Sequence, residues 1–346
     1  MCSDKSGKLC MTTAEEYKAT AQPHIQDRKI DATTVNALED QLSCHAVQFA
    51  RTVGLCAEQA GDKRIKSALV NSNTRPPSLY CSFKDHKESV PGQPIPGRPV
   101  CGATESQTGP LGYMLMLILN IIADLLNAVI DTESDSTEDM IATMESANKE
   151  ILDNETKNVV LISTDVKALY PSLKAQPSAD IVEEMVVETG IGIEGFDSKE
   201  AALYLTLTSS KSERVHLQTE FPGIMPTRLK SRGAHPGITT ADVKDRKLYQ
   251  DGYTSLFQHG QRSPNETEKR RLLALCLKQA IKTAMQNHAY SFNNQAHLQE
   301  DGGSIGERFT QALARVVMLW WDRKYKCVAQ QNGIHTYTKR YPFQPG

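Results

Sequence analysis

The apolar positions of this chain change period several times, and each change marks an element. From Thr33 to Leu69 they recur at steps of three and four, as Val35, Leu38, Leu42, Val47, Ile65 and Leu69. That spacing predicts helices with one buried face. Ahead of it, Thr12-Thr13-Ala14-Glu15-Glu16 predicts a helix N-cap with acidic first-turn residues. Pro76-Pro77 break the helical pattern. Leu79-Tyr80-Cys81-Ser82-Phe83 then reads as a strand, and Arg98-Pro99-Val100-Cys101 as its partner across a long loop rich in proline and glycine. Residues 109–130 predict another helix. Its apolar run from Tyr113 to Ile130 is broken by Asn120, Asp124 and Asn127, so a helix buried in protein is expected rather than a membrane span.

Asp131 to Asp139 is acidic and mixed with Ser and Thr, which predicts an exposed turn or helix start, and Met140 to Leu152 returns to helix. Val159-Val160-Leu161-Ile162 predict a short buried strand with Asp165 at its carboxyl end. A helix begins near Ser178-Ala179-Asp180, and residues 200–208 continue it or begin another. Residues 209–262 carry Lys211, Arg214, Arg228, Lys230, Arg232, Lys244, Arg246 and Lys247. Around Arg228 to Gly237 the periodicity is too poor for a core element. The stretch reads either as a solvated insertion or as a contact for a nucleic-acid backbone. Arg271 to Met285 is helical again, and Asn293-Asn294 predict the turn of a hairpin over 290–299. After Gln299, Gly302-Gly303 give an unusual turn, with a helix expected from Ser304 or Gly306.

A chain of 346 residues can bury a substantial core and hold two or three subdomains. Its 39% hydrophobic and 23% charged residues are ordinary for a globular protein. A net charge of −2 argues against a protein that coats nucleic acid, but leaves room for a local basic groove. The eight cysteines include no C-x-x-C pair, which disfavours a zinc ribbon or a thioredoxin-type motif. The polar start Met1-Cys2-Ser3-Asp4-Lys5 does not read as a signal peptide, so a nuclear or cytoplasmic, non-secreted protein with reduced thiols is expected.

Three stretches carry candidate chemistry. A carboxylate at the mouth of a buried strand is costly unless a cation meets it. Asp165 therefore reads either as a ligand for a divalent metal or as a cap on the next helix, with Ser163 and Thr164 as local turn formers. Lys84, Lys87 and Arg98 on facing strands read either as solvated charges or as a clamp for a triphosphate. The glycines at 302, 303 and 306 allow something flat or bulky to approach the main chain, or simply turn a strand into a helix. They lack the Gly-Lys-Ser ending of a phosphate loop.

Taken together, these stretches resemble the reverse transcriptases of retroelements, most closely the Penelope-like type. Asp165 followed five places on by Tyr170 resembles the first catalytic motif. Tyr80, Lys84, His86, Lys87, Arg98 and Pro99 match the fingers motifs, with Val100 where the family has Ile. Gln299, Gly302, Gly306, Thr310 and Ala314 match the second palm motif without a gap, with Thr for Ser and Gln311 where a proline is usual. Asp-x-x-x-Leu-Tyr-Pro-Ser also resembles family B DNA polymerases, but their Lys-x-x-x-Asn-Ser-x-Tyr-Gly motif is not found.

The resemblance implies an α+β fold: a helical region over 1–75, fingers over 76–130, and a partial palm over 131–346 interrupted by the basic insertion at about 209–262. It implies nucleotidyl transfer from a deoxynucleotide (dNTP) to a primer 3′-hydroxyl on an RNA or DNA template, with Mg²⁺ or Mn²⁺. Asp165 would ligate metal and act as the catalytic carboxylate. Tyr170 would gate the sugar, Arg98 and Lys84 would bind phosphates, and Gln299 and Gly302 would shape the base pocket. No membrane partner is expected.

The family places a Tyr-x-Asp-Asp hairpin after a Lys-Arg-Tyr-like lead-in. Thr338-Lys339-Arg340-Tyr341 resembles the lead-in, yet the sequence contains no adjacent pair of aspartates. Two-metal chemistry needs several converging carboxylates. The expectation is therefore a reverse transcriptase fragment that is inactive alone, with two alternatives: a relic of one that only binds nucleic acid, and, ranked below it, a family B-like DNA polymerase fragment.

Overall fold

A computed structural model of the chain describes residues 10–25, 27–54, 75–84, 93–102, 106–134, 136–153, 165–166, 168–226, 262–300, 302–334 and 340. The described part is a mixture of helices with two small antiparallel sheets. The predicted strand at 159–164, most of the basic stretch, and the lead-in except Arg340 lie outside the described residues.

The chain opens with helix α1 (Ala14–Ala21), capped as expected. The Thr13 hydroxyl accepts the Glu16 N–H while the Glu16 carboxylate accepts the Thr13 N–H. Strand β1 (Arg28–Ile30) and helix α2 (Ala32–Thr52) follow. Strands β2 (Leu79–Phe83) and β3 (Gly97–Cys101) pair antiparallel, with Ser82 opposite Arg98. Then come α3 (Gly109–Ile130), α4 (Thr137–Asp153) and the single turn α5 (Leu169–Ser172). Helices α6 (Ala175–Thr189), α7 (Ser198–Thr208), α8 (Lys211–Glu220) and α9 (Glu266–Gln286) lead to the hairpin β4 (Ala289–Phe292) and β5 (Gln295–Leu298). Helix α10 (Arg308–Gln331) is the last described element.

Helix α3 is the spine. It packs most extensively on α10, and also on α2 and α9. Leu111, Met114, Leu115, Leu119, Ile122 and Leu126 are fully buried along it, each contributing about 1.5–3 kcal/mol by leaving water. The helix is long and apolar enough to cross a membrane, but Asn120, Asp124 and Asn127 interrupt it and one face is packed against protein. Helices α6, α7 and α9 complete the same core.

Strand β5 lies between β1 and β4 in the three-stranded sheet. The β2–β3 hairpin is tied to that sheet at Ser78, which bridges to Ser291, whose N–H donates to Pro77 O at 2.8 Å.

Three local expectations change. Residues 132–134 are buried rather than an exposed turn. Asp131 takes φ 50 at the end of α3, and the Asn127 side-chain oxygen accepts the N–H groups of Thr132 and Glu133. Glu133 is then buried between Arg315 and Arg340. Residues 211–220 form α8, stabilised by a Ser210–Glu213 capping box, and Leu217, Phe221, Ile224 and Met225 enter the main core. Helix α10 starts at Arg308 because Gly302 and Gly306 hold φ of 84° and 107°, outside helical space.

Candidate functional site

The turn from Gly302 to Gly306 is where the three chemistry-bearing stretches meet. On one side it touches the segment that follows Asp165. Gly303 N–H donates to Tyr170 O at 2.8 Å. A side-chain carbon on Gly302 would sit 2.8 Å from Pro171 O. On the other side it touches β3. Ile305 O accepts the Cys101 N–H at 2.8 Å, and a carbon added to Gly306 would lie 2.0 Å from Cys101 O. Contacts this close admit glycine alone, so the residue type and the packing explain each other.

Gln299 braces the turn from within, its side-chain amide donating to Gly302 O at 2.9 Å. Tyr170 is half-buried. Burial pushes its phenol pKa up, and the positive charge of Arg98 opposes that shift. Tyr170, Gln299 and Gly302 thus meet at the turn, and Arg98 belongs to the strand β3 that touches its other side through Cys101. Lys84 joins Arg98 on the hairpin. Its N–H donates to Pro96 O at 2.9 Å just beyond the end of β2, and Ser82 stands opposite Arg98 in the ladder. The Lys84 charge is also felt by His24, whose pKa is lowered, first by burial and then by this lysine.

Asp165 is exposed, five residues before Tyr170. It does not cap the helix that follows. The N-cap of α5 is Ala168, which stands at φ 56 with no side-chain cap. Among the described residues no three His, Cys, Asp or Glu side chains gather to hold a cation. Asp165 alone does not supply the ligands that a pair of divalent ions requires.

A buried polar cluster behind the turn carries no signal in the sequence pattern. Glu307, the residue after Gly306, is 4% exposed at the start of α10. One of its carboxylate oxygens accepts the Ser106 hydroxyl at 2.6 Å and the Thr108 hydroxyl at 2.9 Å. His288 Nδ1 lies 3.4 Å from the same oxygen and 3.2 Å from Thr108 Oγ1. Burial lowers the His288 pKa, opposed by the Glu307 charge. The cluster joins the start of α3, the start of α10 and the chain entering β4. It therefore fixes where the glycine turn stands relative to the spine.

A second cluster lies where α3 ends. Arg340 reaches Glu133 at 3.1 Å and Asp322 at 3.1 Å, and Arg315 reaches Glu133 and Asp124, each at 2.7 Å. The Arg340 backbone continues the tie, with its N–H on Thr132 O at 2.7 Å and its carbonyl accepting the Ser134 N–H at 3.0 Å. Buried charges persist only when paired in this way.

Comparison of the chain with protein-family models, with curated proteins and with solved structures returned no match.

Proposed function

We propose that this chain is a reverse transcriptase domain of the retroelement, Penelope-like type, comprising fingers and part of a palm, that does not extend a primer by itself. The observation that carries the reading is the meeting of three separately chosen stretches at one glycine turn. Arg98 and Lys84 come from the fingers hairpin, Tyr170 from the segment after Asp165, and Gln299 and Gly302 from the turn itself. Such a group would present two cations to a triphosphate, an aromatic edge to a sugar and a flat main-chain surface to a base.

In this reading Arg98 and Lys84 neutralise the phosphates of an incoming deoxynucleotide, and the half-buried Tyr170 ring bounds the sugar. Gln299 holds the turn in the shape that accepts the base. The family's Mg²⁺ or Mn²⁺ would supply Lewis-acid stabilisation of the transferring phosphate. Within these 346 residues Asp165 has no adjacent aspartate pair to share that task, so the chain binds without turnover.

The test is a primer annealed to an RNA template, with dNTP and either metal. The expected result is salt-dependent binding, weakened at least tenfold by Arg98→Ala, with no incorporation. Incorporation that Asp165→Asn abolishes would overturn the inactivity. Absence of binding at low salt would overturn the family reading. Binding that Arg98→Ala leaves intact would favour a relic holding nucleic acid elsewhere.

A further inference from the structure

A cleft of about 590 Å³ opens between α1 and the β4–β5 hairpin, lined by Tyr17, Lys18, Phe292, Asn293, Asn294 and their neighbours. None of its lining residues is Lys84, Arg98, Asp165, Tyr170, Gln299 or Gly302. Its volume is in the range of small-ligand sites, about 300–1,000 Å³.

We propose that this cleft holds an unpaired nucleobase of a single-stranded nucleic acid, with the base on Tyr17 and Phe292 and the neighbouring phosphate on Lys18. The floor is aromatic and fixed. The two ring centroids are 6.4 Å apart at 41°, and the Tyr17 hydroxyl accepts the Cys81 N–H at 3.1 Å. The Tyr17 ring also meets Phe83 edge-on at 6.4 Å. A platform already immobilised loses little freedom when a flat ligand stacks on it.

The rim supplies the polar part. Asn293 and Asn294 are held outward by a turn in which both residues have positive φ, 50° and 63°. Each amide offers a donor and an acceptor, the combination that a base edge requires. Neither these amides nor the Lys18 ammonium is engaged by another side chain among the described residues. Among the described residues no carboxylate lines the cleft, so an anionic strand meets one cation and no opposing charge there. A single-stranded base satisfies the aromatic floor, the amide rim and the lone cation together. A duplex, with its bases already stacked, does not.

The experiment is fluorescence anisotropy of the full chain at low salt. It compares a labelled twelve-nucleotide uridylate, the same strand with abasic sites, and a duplex of equal length. The expected order is single strand tightest, with abasic strand and duplex at least tenfold weaker. Phe292→Leu and Lys18→Ala should each weaken the single strand about tenfold. Asn294→Gly keeps the left-handed turn, so it removes the amide without endangering the hairpin, and should weaken it several-fold. Lys149→Ala, an exposed cation on α4 that does not line the cleft, should leave this binding unchanged, which separates the cleft from surface charge at large. Equal binding of the abasic strand, wild-type binding by all three cleft variants, or no binding at all would overturn the proposal. Displacement by free uridine monophosphate at micromolar concentration would overturn the assignment to a strand.

Discussion

Alanine at position 306 meets two separate obstacles, and other glycines of the chain present them one at a time. Gly192 has open space around it among the described residues and no left-handed φ, so Gly192→Ala faces neither. It should be neutral, or stabilising by up to about 1 kcal/mol, because alanine restricts the unfolded chain. Gly333, just after α10, has φ 67° and nothing within 4 Å among the described residues, so Gly333→Ala isolates the backbone penalty of about 1–2 kcal/mol. Gly306 adds the second obstacle. At φ 107° its new carbon would stand 2.0 Å from Cys101 O, where only main chain can yield. Relief must move the turn off β3 and break the Cys101 N–H to Ile305 O bond, about 1 kcal/mol more on top of strain of roughly 1–3 kcal/mol. Gly306→Ala should therefore cost about 3–6 kcal/mol in total, well beyond Gly333→Ala. Urea unfolding at constant slope measures all three. If Gly306→Ala shifts the midpoint no more than Gly333→Ala, the turn is not seated on β3 and the geometry of the candidate site is wrong.

Glu307→Ala removes the acceptor of two hydroxyls and leaves His288 buried beside the gap, so a loss of about 3–5 kcal/mol is expected in the same unfolding assay. Glu307→Gln keeps an acceptor oxygen and should cost clearly less; equal costs would exclude the hydrogen-bond explanation. His45 is 7% exposed, with Nδ1 3.2 Å from the Tyr204 hydroxyl, and burial lowers its pKa from 6.5 to about 4. The unfolded chain then binds more protons below pH 6.5, so this group's stabilisation is intact above 6.5 and is lost progressively down to about pH 4, a difference on the order of 3 kcal/mol. A pH series of unfolding midpoints on wild type and His45→Gln should show the variant with the flatter acid limb; parallel limbs would refute it. Glu133→Gln leaves Arg315 and Arg340 facing a neutral amide and should cost about 3 kcal/mol, whereas a cost below about 0.5 kcal/mol would mean that the network is not closed.

Features fixed by neighbouring residues were legible in the sequence. The Thr13 cap, the alternation of β2, the Asn293-Asn294 turn and the apolar face of α3 all depend on contacts a few residues apart. Features fixed by distant partners were not. Asp131 to Ser134 has the composition of a solvated turn, and what buries Glu133 is Arg315, 182 residues away, together with Arg340. Strand β1 is three residues long and exists because β5 pairs with it, with Ile30 turned into a small core with Leu38 and Leu298. Helix α8 sits in a stretch that reads as basic and irregular. Its cap is local, but the gain from burying Leu217 and Phe221 depends on a core built elsewhere. His288 had no signal at all, since a lone histidine between a helix and a strand acquires meaning only when Glu307 and Thr108 arrive beside it.

The glycine turn shows how local and distant information can be joined. Sequence alone gives three glycines whose small size permits close approach, without naming what approaches. The structure supplies the partners, and they are Pro171 and Tyr170 on one side and Cys101 on the other. These belong to the other two stretches singled out for their chemistry, separated from the turn by about a hundred residues or more. Three unrelated surface features would have no reason to share one turn, and a turn meant only to start a helix would not need main chain packed against both of its faces. The arrangement supports a site assembled from the β2–β3 hairpin, the segment after Asp165 and the turn, with the missing side chains at 302, 303 and 306 as the condition for its assembly. Substituting any one of them should then disturb Arg98 and Tyr170 together. A change felt on one side alone would mean that the two contacts are independent accidents of packing.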